Sequence, residues 1–165
     1  MQLKIRYVTE EDAPALLKLF KELDASEMML YNPGERRDSI EPIKSMIHHL
    51  SKPQSALFVA EVEQQLAGYL TVQAGGLERI RHRAYITLGV SASFRGIGIA
   101  SALFDSLFTW AANHQISRLE LTVIKHNKPA FDLYRKMGFV LEGEKVHSLI
   151  INGEPVNEYY LYKLL

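Results

Sequence analysis

The residues with the clearest chemical potential are Arg95, Gly96, Ile97, Gly98, Ile99, Ala100 and Ser101. One arginine and two glycines here join a strand-like run to a helical pattern. Backbone N–H groups at a helix start lack partners and lie at the positive end of the dipole, so the segment favours an anion. Gly96 and Gly98 tolerate positive φ and lack the Cβ atoms that would hold a phosphate at a distance. Arg95 can add a charge-assisted contact. The pattern points to a pyrophosphate cradle, and its plain alternative is a glycine-containing strand-to-helix turn.

Two other phosphate loops are weighed against it. A P-loop is excluded because no Gly-Lys-Ser/Thr opens the helix. A dinucleotide fingerprint needs a third glycine where Ser101 stands, and an acidic residue about twenty positions on. Glu120 lies near that distance, so spacing alone does not remove this reading. Position weighs against it, since the fingerprint usually opens its domain and this loop lies mid-chain.

The elements that must position the loop read as follows. Ala84-Tyr85-Ile86-Thr87-Leu88-Gly89-Val90 is a strand leading in, and Ile99, Leu103, Leu107 and Trp110 mark one face of a helix leading out. Upstream, Leu3–Val8 alternates as a strand. Thr9-Glu10-Glu11-Asp12 resembles a capping box, and Ala13, Leu16, Leu17, Phe20 and Leu23 give the next helix its apolar face. Pro14 delays that helix by a residue or two. Tyr31-Asn32-Pro33-Gly34 is a turn, followed by a short helix on Ile40, Ile43, Ile47 and Leu50. His48 and His49 diverge on that helix, so no metal pair is expected.

Ala56–Val62 and Leu66–Gln73 form a hairpin, and the basic run Arg79-Ile80-Arg81-His82-Arg83 is a solvated loop or an aid to phosphate binding. Arg118–Val123 is a further strand. Val146–Ile151 and Val156–Tyr162 flank Asn152-Gly153 as a last hairpin, with Glu154-Pro155 lengthening its loop. The order is β-α-α-β-β-β-α-β-α-β-β, a mixed α/β sheet.

Composition bounds the function. The 165 residues fit one domain, with 47% hydrophobic and 23% charged residues, as in ordinary globular proteins. With 19 basic and 19 acidic side chains there is no overall basic field for nucleic acid. No cysteine is present, which excludes disulfides, zinc–thiolate sites and a cysteine nucleophile. The first residues do not read as a signal peptide and no apolar run nears about 18 residues, so a cytoplasmic protein without a membrane partner is expected.

A second segment, Asn127-Lys128-Pro129-Ala130-Phe131-Asp132-Leu133-Tyr134-Arg135-Lys136-Met137-Gly138-Phe139, adds to the loop. Asn127 is a good helix N-cap and Gly138 a C-cap glycine. Together the two segments resemble the GNAT family of N-acetyltransferases. Its phosphate loop, Gln/Arg-x-x-Gly-x-Gly/Ala, is matched by Arg95, Gly98 and Ala100. Its following motif, Asn-x-x-Ala-x-x-Leu-Tyr-x-x-x-Gly-Phe, is matched by Asn127, Ala130, Leu133, Tyr134, Gly138 and Phe139. Order and spacing agree, and the resemblance extends over nearly the whole chain.

The resemblance implies one α/β domain over residues 1–165, a mixed, mostly antiparallel sheet of about seven strands with a splayed pair, flanked by about four helices. It implies acetyl-CoA as donor and direct attack on its thioester by a primary amine. A small-molecule acceptor is favoured over a protein N-terminus. Pantetheine would meet the backbone of Leu88 and Val90, the diphosphate the Arg95–Ser101 loop, and the cofactor arm Asn127, Ala130 and Tyr134. The Val90 N–H would stabilise the oxyanion, and Tyr134 would protonate the leaving thiolate.

The base is open. Tyr85–Val90 carries no carboxylate, and the position five before Asn127, where relatives acting on protein N-termini can carry glutamate, is Thr122. Glu120, two residues earlier on the same strand face, is a candidate, as are Glu78, His82 and His147, each acting through a water; the alternative is a pocket that simply accepts a neutral amine. Met28–Tyr31 and Glu35–Arg37 line the acceptor pocket or are core and solvated loop. Family analogy suggests a homodimer through the terminal strands with Tyr159, Tyr160 and Tyr162. A non-catalytic acetyl-CoA-binding module and a nucleotide-binding oxidoreductase fragment are the competing readings.

Overall fold

A computed structural model describes residues 2–165. Alternating and apolar runs become the strands β1 (Leu3–Tyr7), β2 (Ser55–Val62), β3 (Gln65–Ala74), β4 (Arg83–Val90), β5 (Arg118–Ile124), β6 (Val140–Ile151) and β7 (Glu154–Leu164). The amphipathic segments become α1 (Ala13–Asp24), α2 (Glu41–Leu50), α3 (Ile99–Asn113) and α4 (Lys128–Lys136). One seven-stranded sheet runs β1-β2-β3-β4-β5-β7-β6, and only β4 and β5 are parallel.

Two apolar clusters cover the two faces of the sheet. On one face, α3 buries Leu103, Phe104 and Leu107 completely, against Ile86, Leu119, Leu121 and Phe139. On the other, α1 and α2 bury Leu16, Phe20, Leu23, Ile43 and Ile47 against Leu57, Val59 and Tyr69. Strand alternation decides the division: Ala84 and Ile86 pack with α3, so Tyr85, Thr87 and Gly89 face α1. Likewise Leu119, Leu121 and Val123 face α3, leaving Glu120, Thr122 and Ile124 on the α1 face.

The β4–β5 pairing is short. It joins Arg83 to Arg118, Ala84 to Leu119 and Tyr85 to Glu120, then stops. β4 remains paired with β3 along its length, through Val90 opposite Gly68. From Ile86 to Val90 the β5-facing edge of β4 therefore carries backbone groups without a strand partner. An unpaired backbone edge inside a sheet is a place for a ligand to pair.

Several boundaries differ from the sequence reading. Pro14 is the second residue of α1, which starts at Ala13 after a 3-10 turn over Glu10–Asp12. Glu154-Pro155 does not lengthen the last loop. Asn152 and Gly153 alone make the turn, at φ +52° and +79°, and Pro155 pairs with Ile150 inside β7. A two-residue turn of this hand suits the strand twist, and the proline falls near the strand start, where a missing donor is tolerated. β6 begins at Val140 rather than Val146, because its polar, exposed first half belongs to an edge strand. β7 is an inner strand, so Tyr159 packs on Phe131 (centroids 5.3 Å apart), and the sheet edge that a second copy would meet is β6.

Candidate active site

The phosphate loop follows directly from the open end of β4. Ser91 is buried and its N–H donates to the Ala67 carbonyl at 2.8 Å, anchoring the exit from the strand. A 3-10 turn over Ala92–Phe94, absent from the sequence reading, carries the chain to Arg95. The Ser91 hydroxyl accepts from the Ser93 N–H at 3.3 Å, the local bond that a serine offers a turn. Gly96 and Gly98 then take φ of +81° and +87°, the left-handed region that favours glycine. No atom lies within 4 Å of where a Cβ would stand on either, so the space above the loop is open.

Gly98 caps α3, and the first helical bond runs from the Ala102 N–H to the Gly98 carbonyl at 3.0 Å. The N–H groups of Ile99, Ala100 and Ser101 thus precede the helical ladder, at the positive end of a 15-residue helix. Arg95, Gly96 and Ile97 are exposed beside them. This geometry fits a diphosphate: open space, converging donors and a free guanidinium. The basic Arg79–Arg83 run lies at the start of β4, about 25 Å away along an eight-residue strand. It is a loop at the far end and does not join the phosphate cradle.

Across the opening, Asn127 caps α4, its side chain accepting from the Ala130 N–H at 3.4 Å. Its cap places Tyr134 two turns on, where the ring packs edge-on against Phe104 (6.2 Å) and Phe139 (6.1 Å) on the α3 face. The Tyr134 phenol is buried and held well above its ordinary range by desolvation, with the neighbouring Tyr85 phenol adding to the rise. Tyr69 is raised likewise by burial and next by Tyr134, against the opposing pull of Arg36. Tyr69 and Tyr85 belong to the α1 face. Tyr134, packed on the α3 face, is thus a neighbour of the Tyr69 and Tyr85 phenols near the point where β4 and β5 part.

On the α1 face the walls come partly from the Met28–Tyr31 and Glu35–Arg37 stretches singled out in the sequence and partly from Tyr85, Gly89 and Thr122, which it did not reveal. The Tyr85 and Thr122 hydroxyls bond at 2.8 Å, bridging β4 and β5 just past their last backbone pair. Gly89 lets α1 approach, for a Cβ there would meet Leu23 Cδ1 at 2.6 Å and Tyr69 Cε1 at 2.7 Å. Asp24, 2% exposed, accepts from Arg36 Nε at 2.8 Å and a terminal guanidinium nitrogen at 3.2 Å. The same guanidinium stacks over Phe20 (4.7 Å) and Tyr31 (4.2 Å), which pins the loop after α1. That loop reaches the β6–β7 turn, where Asn152 Nδ2 donates to Glu27 at 3.3 Å. Together they enclose a cavity of about 190 Å³ lined by Glu27, Met29, Tyr31, Glu35, Leu149 and Ile151.

The candidate bases do not gather at the opening. Glu120 stands opposite Tyr85 at the paired end and accepts from Arg118 Nε at 2.9 Å. Glu78 and His82 lie on the β3–β4 loop, at the far end of β4. His147 sits at φ +56° within β6.

A family model described as the acetyltransferase (GNAT) family matches residues 16–139. The chain belongs to this family. It is 32% identical over 114 residues to the L-amino acid N-acetyltransferase AaaT of Escherichia coli (strain K12), covering 68% of this chain and 70% of that one. A GNAT-family acetyltransferase from Streptococcus pneumoniae superposes with a TM-score of 0.92 at 23% identity, over 99% of this chain and all (100%) of the other. A GNAT phosphinothricin acetyltransferase from Sinorhizobium meliloti, solved in complex with acetyl-CoA, gives 0.88 at 17% identity over 100% and 89% of the two chains. As a GNAT acetyltransferase this is an enzyme acting on amino groups with acetyl-CoA as donor. No helix among the described residues is long and apolar enough to cross a membrane.

Proposed function

We propose that this GNAT enzyme acetylates the primary amine of a small molecule by direct attack on the thioester. The observation that carries this reading is the opening of the β4–β5 pair beyond Tyr85, with the buried Tyr134 phenol close to Tyr85 there. Acetyl-CoA, when bound, supplies an activated acetyl thioester. Every other task falls to this chain's own groups.

The N–H groups of Ile99, Ala100 and Ser101, with Arg95 and the open backbone of Gly96 to Gly98, hold the diphosphate. The unpaired backbone of Leu88 and Val90 binds the pantetheine arm as an added strand. The Val90 N–H faces the oxygen on which negative charge develops. Asn127 and Ala130 flank the arm at the start of α4. Tyr134 holds the proton for the departing sulfur. Burial keeps its phenol protonated far beyond neutral pH, as an acid requires. A thiolate, with a thiol pKa of about 8.5, needs only that modest help.

The acceptor enters from the α1 face, between the pinned loop and the β6–β7 turn. A cavity of about 190 Å³ there has room for a small amine. The relative acting on L-amino acids makes that acceptor class the first to try. The test is release of CoA thiol from acetyl-CoA across a panel of amino acids, polyamines, aminoglycosides and short peptides. Selective release with one small-amine class supports the reading; release with peptides alone, or none with any acceptor, overturns it.

A further inference from the structure

On the α1 face, β5 and β7 present side chains directly opposite one another: Glu120 with Tyr162, Thr122 with Tyr160, and Ile124 with Glu158. The parallel register sets Tyr85 level with Glu120. Counting three and four residues onward along each strand puts Leu88 level with Val123 and Gly89 level with Ile124. Glu158, opposite Ile124, is therefore the carboxylate of this row level with the unpaired stretch of β4, on the second strand across from it with β5 between. Glu120 lies about 13 Å back along the sheet from Ile124, at 3.3 Å per residue, and is occupied by Arg118.

A second feature aims Glu158. From Lys145 to Leu149 β6 advances four residues while β7 advances two, from Glu158 to Val156. The surplus forms a bulge at Val146, His147 and Ser148, with His147 in the left-handed region at φ +56°. Its N–H is tied to Asn157 Oδ1 at 2.7 Å, and the Ser148 hydroxyl donates to Glu158 Oε1. A bulge re-aims side chains, and such a non-glycine outlier persists only where surrounding bonds impose it. Glu158 is half-buried. Lys145 faces it across β6 without closing an ion pair, whereas Lys125 is taken by Glu144 on the opposite face. The other titratable groups around it are His147 in the bulge, Tyr160 next along the row, His126 beyond β5, and Glu27 and Glu35 on the loop across the cleft.

We propose that Glu158, seated by Ser148, receives the acceptor's ammonium and takes its proton. This rests on the acyl-transfer reading above. An alkylammonium, with a pKa of about 10, has no lone pair at neutral pH. One N–H proton passes to the Glu158 carboxylate and frees the pair. The nitrogen forms the C–N bond, and the C–S bond breaks with its electrons on sulfur. Tyr134 protonates the sulfur, and the phenolate recovers a proton from the nitrogen, which becomes the amide. Glu158 returns its proton to solvent, so one proton is released per turnover.

The experiment compares the wild type, Glu158→Gln and Glu11→Gln on the amine that the panel identifies. Glu11 carries the same charge, exposed on the turn before α1. Glu158→Gln is expected to lose about 100-fold in kcat/KM at pH 7, and the loss is to shrink below about threefold near pH 10, where the amine is neutral unaided. Calorimetric affinity for acetyl-CoA stays unchanged, while acceptor binding to the CoA complex at pH 7 weakens. Glu11→Gln matches the wild type. A Glu158→Gln enzyme within threefold of wild type at pH 7, or one with equal loss at both pH values, overturns the proposal. Should that variant fail to fold, Ser148→Ala decides, with about tenfold loss expected at pH 7 and unchanged kinetics contradicting it. A wild type that releases no thiol with any amine removes the acyl-transfer reading itself, before any variant is compared.

Discussion

The two faces of the sheet are built by different means. On the α3 face the proposed ligand contacts are backbone groups of one continuous segment: the β4 edge, two left-handed glycines and the first turn of α3. On the α1 face the contacts are side chains gathered from distant elements. Asp24, Arg36, Tyr69, Tyr85 and Thr122 come together from five segments, and Glu27 meets Asn152 across 125 residues. A common donor needs a fixed local cradle, while an acceptor site can be changed one side chain at a time without disturbing it. Damage to the first face should appear in cofactor affinity, and damage to the second in stability or acceptor use.

The largest separation is expected from Asp24→Ala. Removing the carboxylate leaves Arg36 half-enclosed without its partner, at a cost of about 3 kcal/mol or more. Urea denaturation should show the loss, and calorimetry on the folded fraction should show acetyl-CoA affinity intact. Gly89→Ala tests the point where the faces meet. A Cβ would press on Leu23 and Tyr69, destabilising by about 1–3 kcal/mol and displacing α1 from β4. Gly98→Ala meets no atom but must hold φ +87°, at about 1–2 kcal/mol. Its signature is a cofactor Kd raised about tenfold with acceptor KM unchanged; equal effects on both would blur the division.

The smallest effect is in pH dependence. Tyr69 and Tyr134 are raised by burial in the folded chain and titrate near 10 when unfolded. Their contribution to stability is complete below about pH 10 and is lost as pH climbs beyond it, because only the unfolded chain ionises freely there. Tyr69→Phe should flatten the fall between pH 9 and 11 in chemical denaturation. An unchanged slope would mean that the phenol is not desolvated.

This division also governs what could be read in the sequence. The cradle was readable because Arg95, Gly98 and Ala100 are close neighbours whose spacing is itself the geometry. Asn127 and Tyr134 were readable because a cap and its helix are local. The α1-face wall was readable only in part, through Met28–Tyr31 and Glu35–Arg37. Tyr85 and Thr122 meet only because a single parallel pair breaks after Tyr85, a long-range event with no local trace. Glu120 looked eligible from its strand face, and only the register showed it at the closed end beside Arg118. The β6 bulge lay within a run that reads as a plain strand, and no glycine marks His147.

The central claim is that chemistry occurs beside Tyr134, where the strands part. The most direct measurement is kcat for CoA-thiol release by Tyr134→Phe beside the wild type, with acetyl-CoA Kd determined on both. Loss of the phenol proton should lower kcat by about 100-fold with Kd unchanged and the fold intact by circular dichroism. A Tyr134→Phe enzyme with wild-type kcat, where single-turnover kinetics show chemistry to be rate-limiting, would contradict the account.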